Sequence, residues 1–280
     1  MKTIHTDTII RNIKEMCIEA NYNLSADMEE AVRNSVSKEL STIGKQILEQ
    51  LEENMYIARE DNIPICQDTG MAIIFMKIGQ DVHIEGMNLE DAINEGIRQG
   101  YDEGYLRKSV VGDPLLRINT KDNTPGIIHY EIISGSNIEI TVAPKGFGSE
   151  NMSRVYMLKP SDGMEGVKKA VMETVRLAGP NACPPVVVGV GIGGSFEKCA
   201  ILAKKALTRN LKEHSNLEHI KNLEIDLLEE INKSGIGPGG LGGKITALGL
   251  NIETYPTHIA GLPVAINICC HVNRHISRIL

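Results

Sequence analysis

The sequence predicts an α+β fold in which antiparallel sheet elements pack with several helices. Three observations carry this expectation. Short β-rich runs at 127–133 and 138–142 flank Ser134-Gly135-Ser136-Asn137, the pattern of an antiparallel hairpin. Apolar residues recur at helical spacing over 25–57, 161–177 and 216–232. Strands and helices do not alternate regularly enough for a doubly wound parallel sheet. The 280 residues can bury a substantial core, contain no internal repeat or low-complexity segment, and are taken as one domain, 1–280.

Each element has a local reason. The periodic segment 25–57 is one long amphipathic helix or two joined near Ser41-Thr42, and its role is packing. After Pro64 to Gly70 the chain becomes β-rich over 71–78. Asn88 then offers an N-cap with Asp91 three residues on, so a helix should occupy about 89–104. Ser161-Asp162-Gly163 opens a further helix, 186–190 is a buried strand, and helices cover roughly 195–209 and 216–232. Late strands are expected at 245–252 and 262–268, and the polar stretch 210–216 is a loop rather than a linker.

Composition excludes several function classes. Lys+Arg total 29 against 36 Asp+Glu, a net charge of −7, and no basic run occurs, which argues against a nucleic-acid surface. The N-terminal stretch is polar, and no segment approaches the roughly 20 apolar residues needed to cross a bilayer. A soluble cytoplasmic protein without membrane or nucleic-acid partners is expected. The six cysteines then fit reduced thiols better than a disulfide framework.

Gly189-Val190-Gly191-Ile192-Gly193-Gly194 matches a dinucleotide-binding fingerprint after an apolar strand, with Glu213 near the offset of a ribose contact. Too little chain follows it for a series of βαβ units. The glycines are therefore expected to serve close helix–strand packing, with a dinucleotide-dependent oxidoreductase as the lesser alternative.

Cys66, Cys183 and Cys270 each lie in a segment that reads as a loop or strand end, separated by 117 and 87 residues. If their thiolates share a metal centre, only the finished tertiary fold can assemble it. Thiolates suit iron–sulfur clusters, and three of them on a four-iron cluster leave one iron open as a Lewis acid. Cys17 and Cys199 fall in apolar helical patterns and read as small buried hydrophobes. Of the adjacent pair Cys269 and Cys270, at most one is easily aimed at a shared cluster.

These three segments, together with Leu106-Arg107, the loop from Lys145 to Asn151, the run from Asn181 to Gly194, the glycine-rich stretch from Ile236 to Lys244 and His258 to Pro263, resemble the α chain of the two-subunit class I fumarases and L-tartrate dehydratases. The likeness extends from about residue 40 to the C-terminus. It implies an iron–sulfur hydro-lyase of α-chain type with a [4Fe-4S] cluster on Cys66, Cys183 and Cys270. It further implies a dicarboxylate substrate bound by Gln67, Arg107 and the Gly148 backbone, with Asp68 orienting a base.

Arginine suits the carboxylate role because its planar fork matches that group. Lys145 reads as a surface lysine in a turn, while His258 and His271 are expected to satisfy local hydrogen bonds. The remaining arginine, a lysine and the base belong in the family to a β chain, so this chain should need that partner, in an α2β2 assembly. The 145–151 loop resembles the fumarase form, which implies fumarate hydration to (S)-malate over L-tartrate dehydration. A non-enzymatic iron–sulfur sensor or electron carrier is the alternative from another class.

Overall fold

A computed structural model describes Lys2–Leu280. Along the chain its elements are β1 (Lys2–His5), α1 (Thr6–Tyr22), α2 (Ala26–Lys38), α3 (Thr42–Glu60), β2 (Met71–Gly79), β3 (Val82–Glu85), α4 (Leu89–Glu103), β4 (Ile127–Ile133), β5 (Ile138–Lys145), α5 (Phe147–Glu150), β6 (Arg154–Leu158), α6 (Gly163–Ala178), β7 (Val186–Gly193), α7 (Phe196–Ala206), α8 (Glu218–Asn232), β8 (Ala247–Tyr255), β9 (Leu262–Cys269) and β10 (Ile276–Ile279). Helices and mixed sheets together make an α+β fold. Two compact units emerge, each discontinuous in sequence: unit one holds residues 1–25, 57–147 and 274–280, and unit two holds 26–56 and 148–273.

Unit one is built on a sheet of order β10-β5-β2-β4. The apolar faces of α1 (Ile9, Ile13, Met16) and α4 (Ile93, Ile97, Tyr101) share one core with Ile74, Met76, Ile140 and Val142 of the sheet. Asn88 caps α4 as expected, its side chain accepting from the Glu90 and Asp91 amides.

The expected hairpin between 127–133 and 138–142 does not form. β2 lies between the two strands, parallel to β4 and antiparallel to β5. Its end is locked into the connecting turn, because Gly79 N donates to Asn137 O, Gln80 N to Ile133 O and Asp81 N to Gly135 O. The four residues 134–137 are long enough to step over a strand about 5 Å wide. β2, the more apolar strand, thereby takes the central position.

Unit two carries a sheet of order β6-β9-β7-β8, with β7 parallel to β8 and antiparallel to β9. The two-residue period of β7 gives it two different faces. Val186, Val188 and Val190 join a core with Val171 and Val175 of α6 and Leu223 and Leu227 of α8. On the other face Gly189 and Gly191 admit α7: a Cβ on Gly189 would lie 2.1 Å from Ala203 O, and one on Gly191 would lie 2.0 Å from Cys199 O. The glycines of the dinucleotide-like motif therefore serve helix–strand contact, as the packing alternative expected.

Substituting Gly191 by alanine forces that carbonyl and the strand apart. Gly191→Ala should destabilise the protein by about 3 kcal/mol, at the upper end of ordinary overpacking. Chemical denaturation of the two proteins measures the difference.

Candidate functional site

In unit one the segment after α3 is fixed backbone atom by backbone atom. Ile65 is buried, and its N–H donates to Asn21 O at 3.0 Å. Beyond it the carbonyls of residues 68–70 are each engaged. Arg274 Nη2 donates to Asp68 O, and Asn123 Nδ2 donates to Gly70 O at 3.1 Å. The Tyr101 hydroxyl lies 2.9 Å from Thr69 O and 3.0 Å from Gly70 O. Tyr101 is fully buried, which pushes its phenol well above the ordinary range and keeps it a donor.

Gly70, at φ +75°, lets the chain pass against Lys145, whose backbone would meet a Cβ there at 2.7 Å. The Asp68 carboxylate points across the same turn. Its Oδ1 accepts from Gly70 N at 3.0 Å and its Oδ2 from Phe147 N at 2.9 Å, so both oxygens are directionally fixed.

Cys66 stands half-buried at the start of this clamped turn, its Sγ 3.3 Å from Gln67 Oε1, while Gln67 itself is exposed. Arg107 is held beside the turn by Thr69 Oγ1, which donates to the Arg107 carbonyl at 3.2 Å, and by the burial of Leu106. Its side chain stays exposed. Lys145 differs from expectation: it ends β5 and is buried, with Nζ donating to Gly146 O at 3.1 Å. Its strand position, opposite Met71 of β2, removes it from the surface turn that the sequence suggested.

In unit two the antiparallel register sets Val187 of β7 opposite Cys269 of β9. Cys183, just ahead of β7, and Cys270, just past β9, consequently sit at the same end of the sheet. His271 Nδ1 joins their segments directly, 3.1 Å from Cys183 O. Cys183 is exposed and adopts a left-handed backbone at φ +52°. Gly148 belongs here too: the nearest neighbour of a Cβ placed on it is Asn181 O, at 4.0 Å. Glu150 and Ser153 beyond it accept from Asn267 Nδ2 of β9, each at 2.8 Å.

The cysteine loop of unit two leans on a glycine-rich loop. Gly239 N donates to Pro184 O at 2.8 Å, and Gly240 passes so close to Pro180 that a Cβ would lie 2.4 Å from the ring. That loop is anchored by Glu39, which is fully buried at the end of α2. Its carboxylate accepts from Leu40 N at 2.7 Å, Ser41 N at 2.9 Å, Lys244 N at 2.9 Å and Ile245 N at 2.7 Å. Desolvation by burial raises the Glu39 pKa, and the backbone donors of Ser41, Lys244, Ile245 and Leu40 together outweigh it, leaving the group below the usual carboxylate range.

Among the described residues none of the six cysteines is in a disulfide bond. Burial pushes the Cys17 thiol up to about 12 and raises that of Cys199, so both behave as core. Cys269 is buried as well. Cys66, Gln67, Asp68 and Arg107 belong to unit one, and Gly148, Cys183 and Cys270 to unit two. Among the described residues, no three His, Cys, Asp or Glu side chains are gathered as a metal-ion site. His258 accepts locally from Ala260 N at 3.2 Å, as expected.

Residues 10–278 match the family model described as fumarate hydratase (Fumerase). A protein of Methanocaldococcus jannaschii named "Putative L(+)-tartrate dehydratase subunit alpha" is 46% identical over 268 residues, covering 94% of each chain. The L(+)-tartrate dehydratase subunit alpha of Escherichia coli K12 is 33% identical over 252 residues, 89% of this chain and 82% of that one.

Glu39→Gln replaces an acceptor-only carboxylate by an amide whose NH2 must face backbone donors, and should cost roughly 3 kcal/mol. Because the folded Glu39 pKa is depressed, its stabilisation is present above the unfolded value of about 4.3 and is lost as pH falls through the lower folded value. Urea titrations between neutral and acidic pH should show the gap between wild type and Glu39→Gln closing with acid.

Proposed function

The chain belongs to the fumarate hydratase (Fumerase) family, and on that premise we propose that it is the α subunit of a two-chain hydro-lyase that dehydrates L(+)-tartrate. The substrate follows the names of the relatives that align over most of this chain. Fumarate hydration to (S)-malate is the second reading, favoured by the family description and by the form of the 145–151 loop. Both reactions move the elements of water on adjacent carbons of a four-carbon dicarboxylate. Dehydration of tartrate removes a hydroxyl from one carbon and a proton from the next, leaving an enol that tautomerises to oxaloacetate.

The observation that carries the reading is a contrast among the cysteines: Cys17, Cys199 and Cys269 are buried, and Cys66, Cys183 and Cys270 are not. The latter three would hold a [4Fe-4S] cluster. A single ion needs its ligands around one point, whereas such a cluster bonds each thiolate at a different iron. The donor chemistry fits, and the buried, unpartnered N–H groups of Arg274 beside the Cys66 turn suit a bound anion. When bound, the cluster would supply a Lewis-acid iron for the departing hydroxyl.

The protein's own groups have separate tasks. Arg107, exposed on a clamped backbone, would pair with a substrate carboxylate, and Gln67 and the Gly148 backbone would add hydrogen bonds. Asp68, fixed by the Gly70 and Phe147 amides, would orient the base rather than move freely as one. The β subunit would supply that base and the remaining cationic groups, in an α2β2 enzyme of the cytoplasm. Among the described residues no helix is long and apolar enough to cross a membrane. Residues 1–280 would act as one α-type functional domain.

Serine at Cys66, Cys183 or Cys270 should abolish the cluster absorbance of anaerobically reconstituted protein, and serine at Cys17 should leave it. A full four-iron cluster in Cys183→Ser protein would sink the ligand set.

With the β partner present, L-tartrate should be turned over with a higher kcat/KM than fumarate. The reverse ranking would transfer the assignment to fumarate hydratase. In the same complex Arg107→Ala should cost about 2 kcal/mol of transition-state binding, with Arg107→Lys recovering only part, because an ammonium lacks the bidentate fork.

A further inference from the structure

Arg274 is a buried guanidinium with no anionic partner among the described residues. It is 3% exposed in unit one, and its Nη2 donates to a neutral acceptor, the Asp68 carbonyl. Its Nε and Nη1 are buried without any partner. Among the described residues no carboxylate pairs with it: the Asp68 side chain, the nearest candidate in sequence to the contacted carbonyl, is taken by the Gly70 and Phe147 amides. The neighbouring Tyr101 hydroxyl is committed to Thr69 and Gly70.

An isolated guanidinium taken out of water is strongly unfavourable unless an anion completes it. Simple retention of the Asp68 carbonyl does not require a cation, since a neutral donor such as Asn123 performs the same service two residues on. The surplus charge and the two idle donors therefore call for an anionic ligand.

We propose that Arg274 is the counter-ion of the iron–sulfur cluster, a positioning residue whose buried guanidinium compensates the negative charge introduced with the thiolates. This rests on the three-thiolate reading above. Two positive charges on the oxidised four-iron core against three thiolates leave a net single negative charge, which one guanidinium balances. The choice of a resident cluster over an exchanging dicarboxylate follows from exposure: Arg274 is closed off from solvent, whereas Arg107, offered to the substrate, is open. Groups outside the ligand shell that orient or compensate a metal centre typically govern its retention.

The test compares Arg274→Met with wild type, with and without iron. In cluster-free protein the methionine removes an uncompensated buried charge along with one hydrogen bond to the Asp68 carbonyl, two opposing effects, so the melting temperature should change little. In reconstituted protein a chelator should strip the iron about 10- to 100-fold faster from the variant. Unchanged stripping, or an equal loss of melting temperature in both forms, would make Arg274 merely structural and overturn the proposal.

Should the methionine variant fail to fold, the comparison passes to Arg274→Lys and Arg274→Gln. Retention in the lysine protein with loss in the glutamine protein supports the counter-ion role, and equal behaviour overturns it. L-tartrate that raises the melting temperature of iron-free wild type but not of the variant would identify the anion as substrate and also overturn it. Failure of wild type to take up iron at all would instead remove the underlying three-thiolate reading.

Discussion

The Glu39 carboxylate accepts four backbone N–H groups, two next to it and two from Lys244 and Ile245 some 205 residues along the chain. A loop as rich in glycine as 235–243 has little side-chain packing to hold it, and its backbone entropy is correspondingly large. An ionised acceptor is the strongest local compensation, because hydrogen bonds to a charged group are worth more than neutral ones. Through Gly239 and Gly240 the anchored loop supports Pro180 and Pro184, and between those prolines stands Cys183. Much of the cysteine geometry of unit two descends from this one buried acid.

Unit one solves the same problem with neutral and cationic donors. The turn at 68–70 forms no regular ladder, so its carbonyls must find partners individually. Tyr101, Asn123 and Arg274 provide them from the end of α4, from a loop and from the C-terminal segment. A rigid turn next to Cys66 holds the backbone that carries its side chain. Apart from Gly148 in the short α5, the candidate site residues of both units stand outside strands and helices, while the longer regular elements supply the core.

Long, strongly periodic elements were legible in the sequence: α4 with its Asn88 cap, α6, α7, α8, β7 and β9 all occur close to their expected spans. The segment 25–57 resolved into α2 and α3 at the Ser41-Thr42 junction. Helix α1 went unread although Ile9, Ile13, Met16, Cys17 and Ala20 carry its spacing, because the polar ends of the segment mask the stripe. The hairpin expectation failed because a local turn signal cannot report that a third strand will occupy the gap. Short strands β1, β3 and β10 have too few residues to show a period.

At the site, the helical contexts of Cys17 and Cys199 marked them as core, and both are buried, whereas Cys66, Cys183 and Cys270 are less buried. Glu39 and Arg274 were not recognised, and His271, expected to bond locally, reaches Cys183 88 residues away, since each acts through a partner far away in sequence or through the absence of one. Lys145 was misplaced for a related reason: a turn residue and a strand-end residue look alike until pairing is known.

Three thiolates on a four-iron cluster, as proposed, would leave one iron open to a hydroxy-dicarboxylate. Mössbauer spectroscopy of this chain reconstituted with iron-57 and a β partner, recorded with and without L-tartrate, reads that open site. One iron site of four should change its isomer shift and quadrupole splitting on addition of substrate while the other three stay constant. Four sites indifferent to tartrate and to fumarate alike would mean a closed cluster, and would contradict the hydro-lyase account.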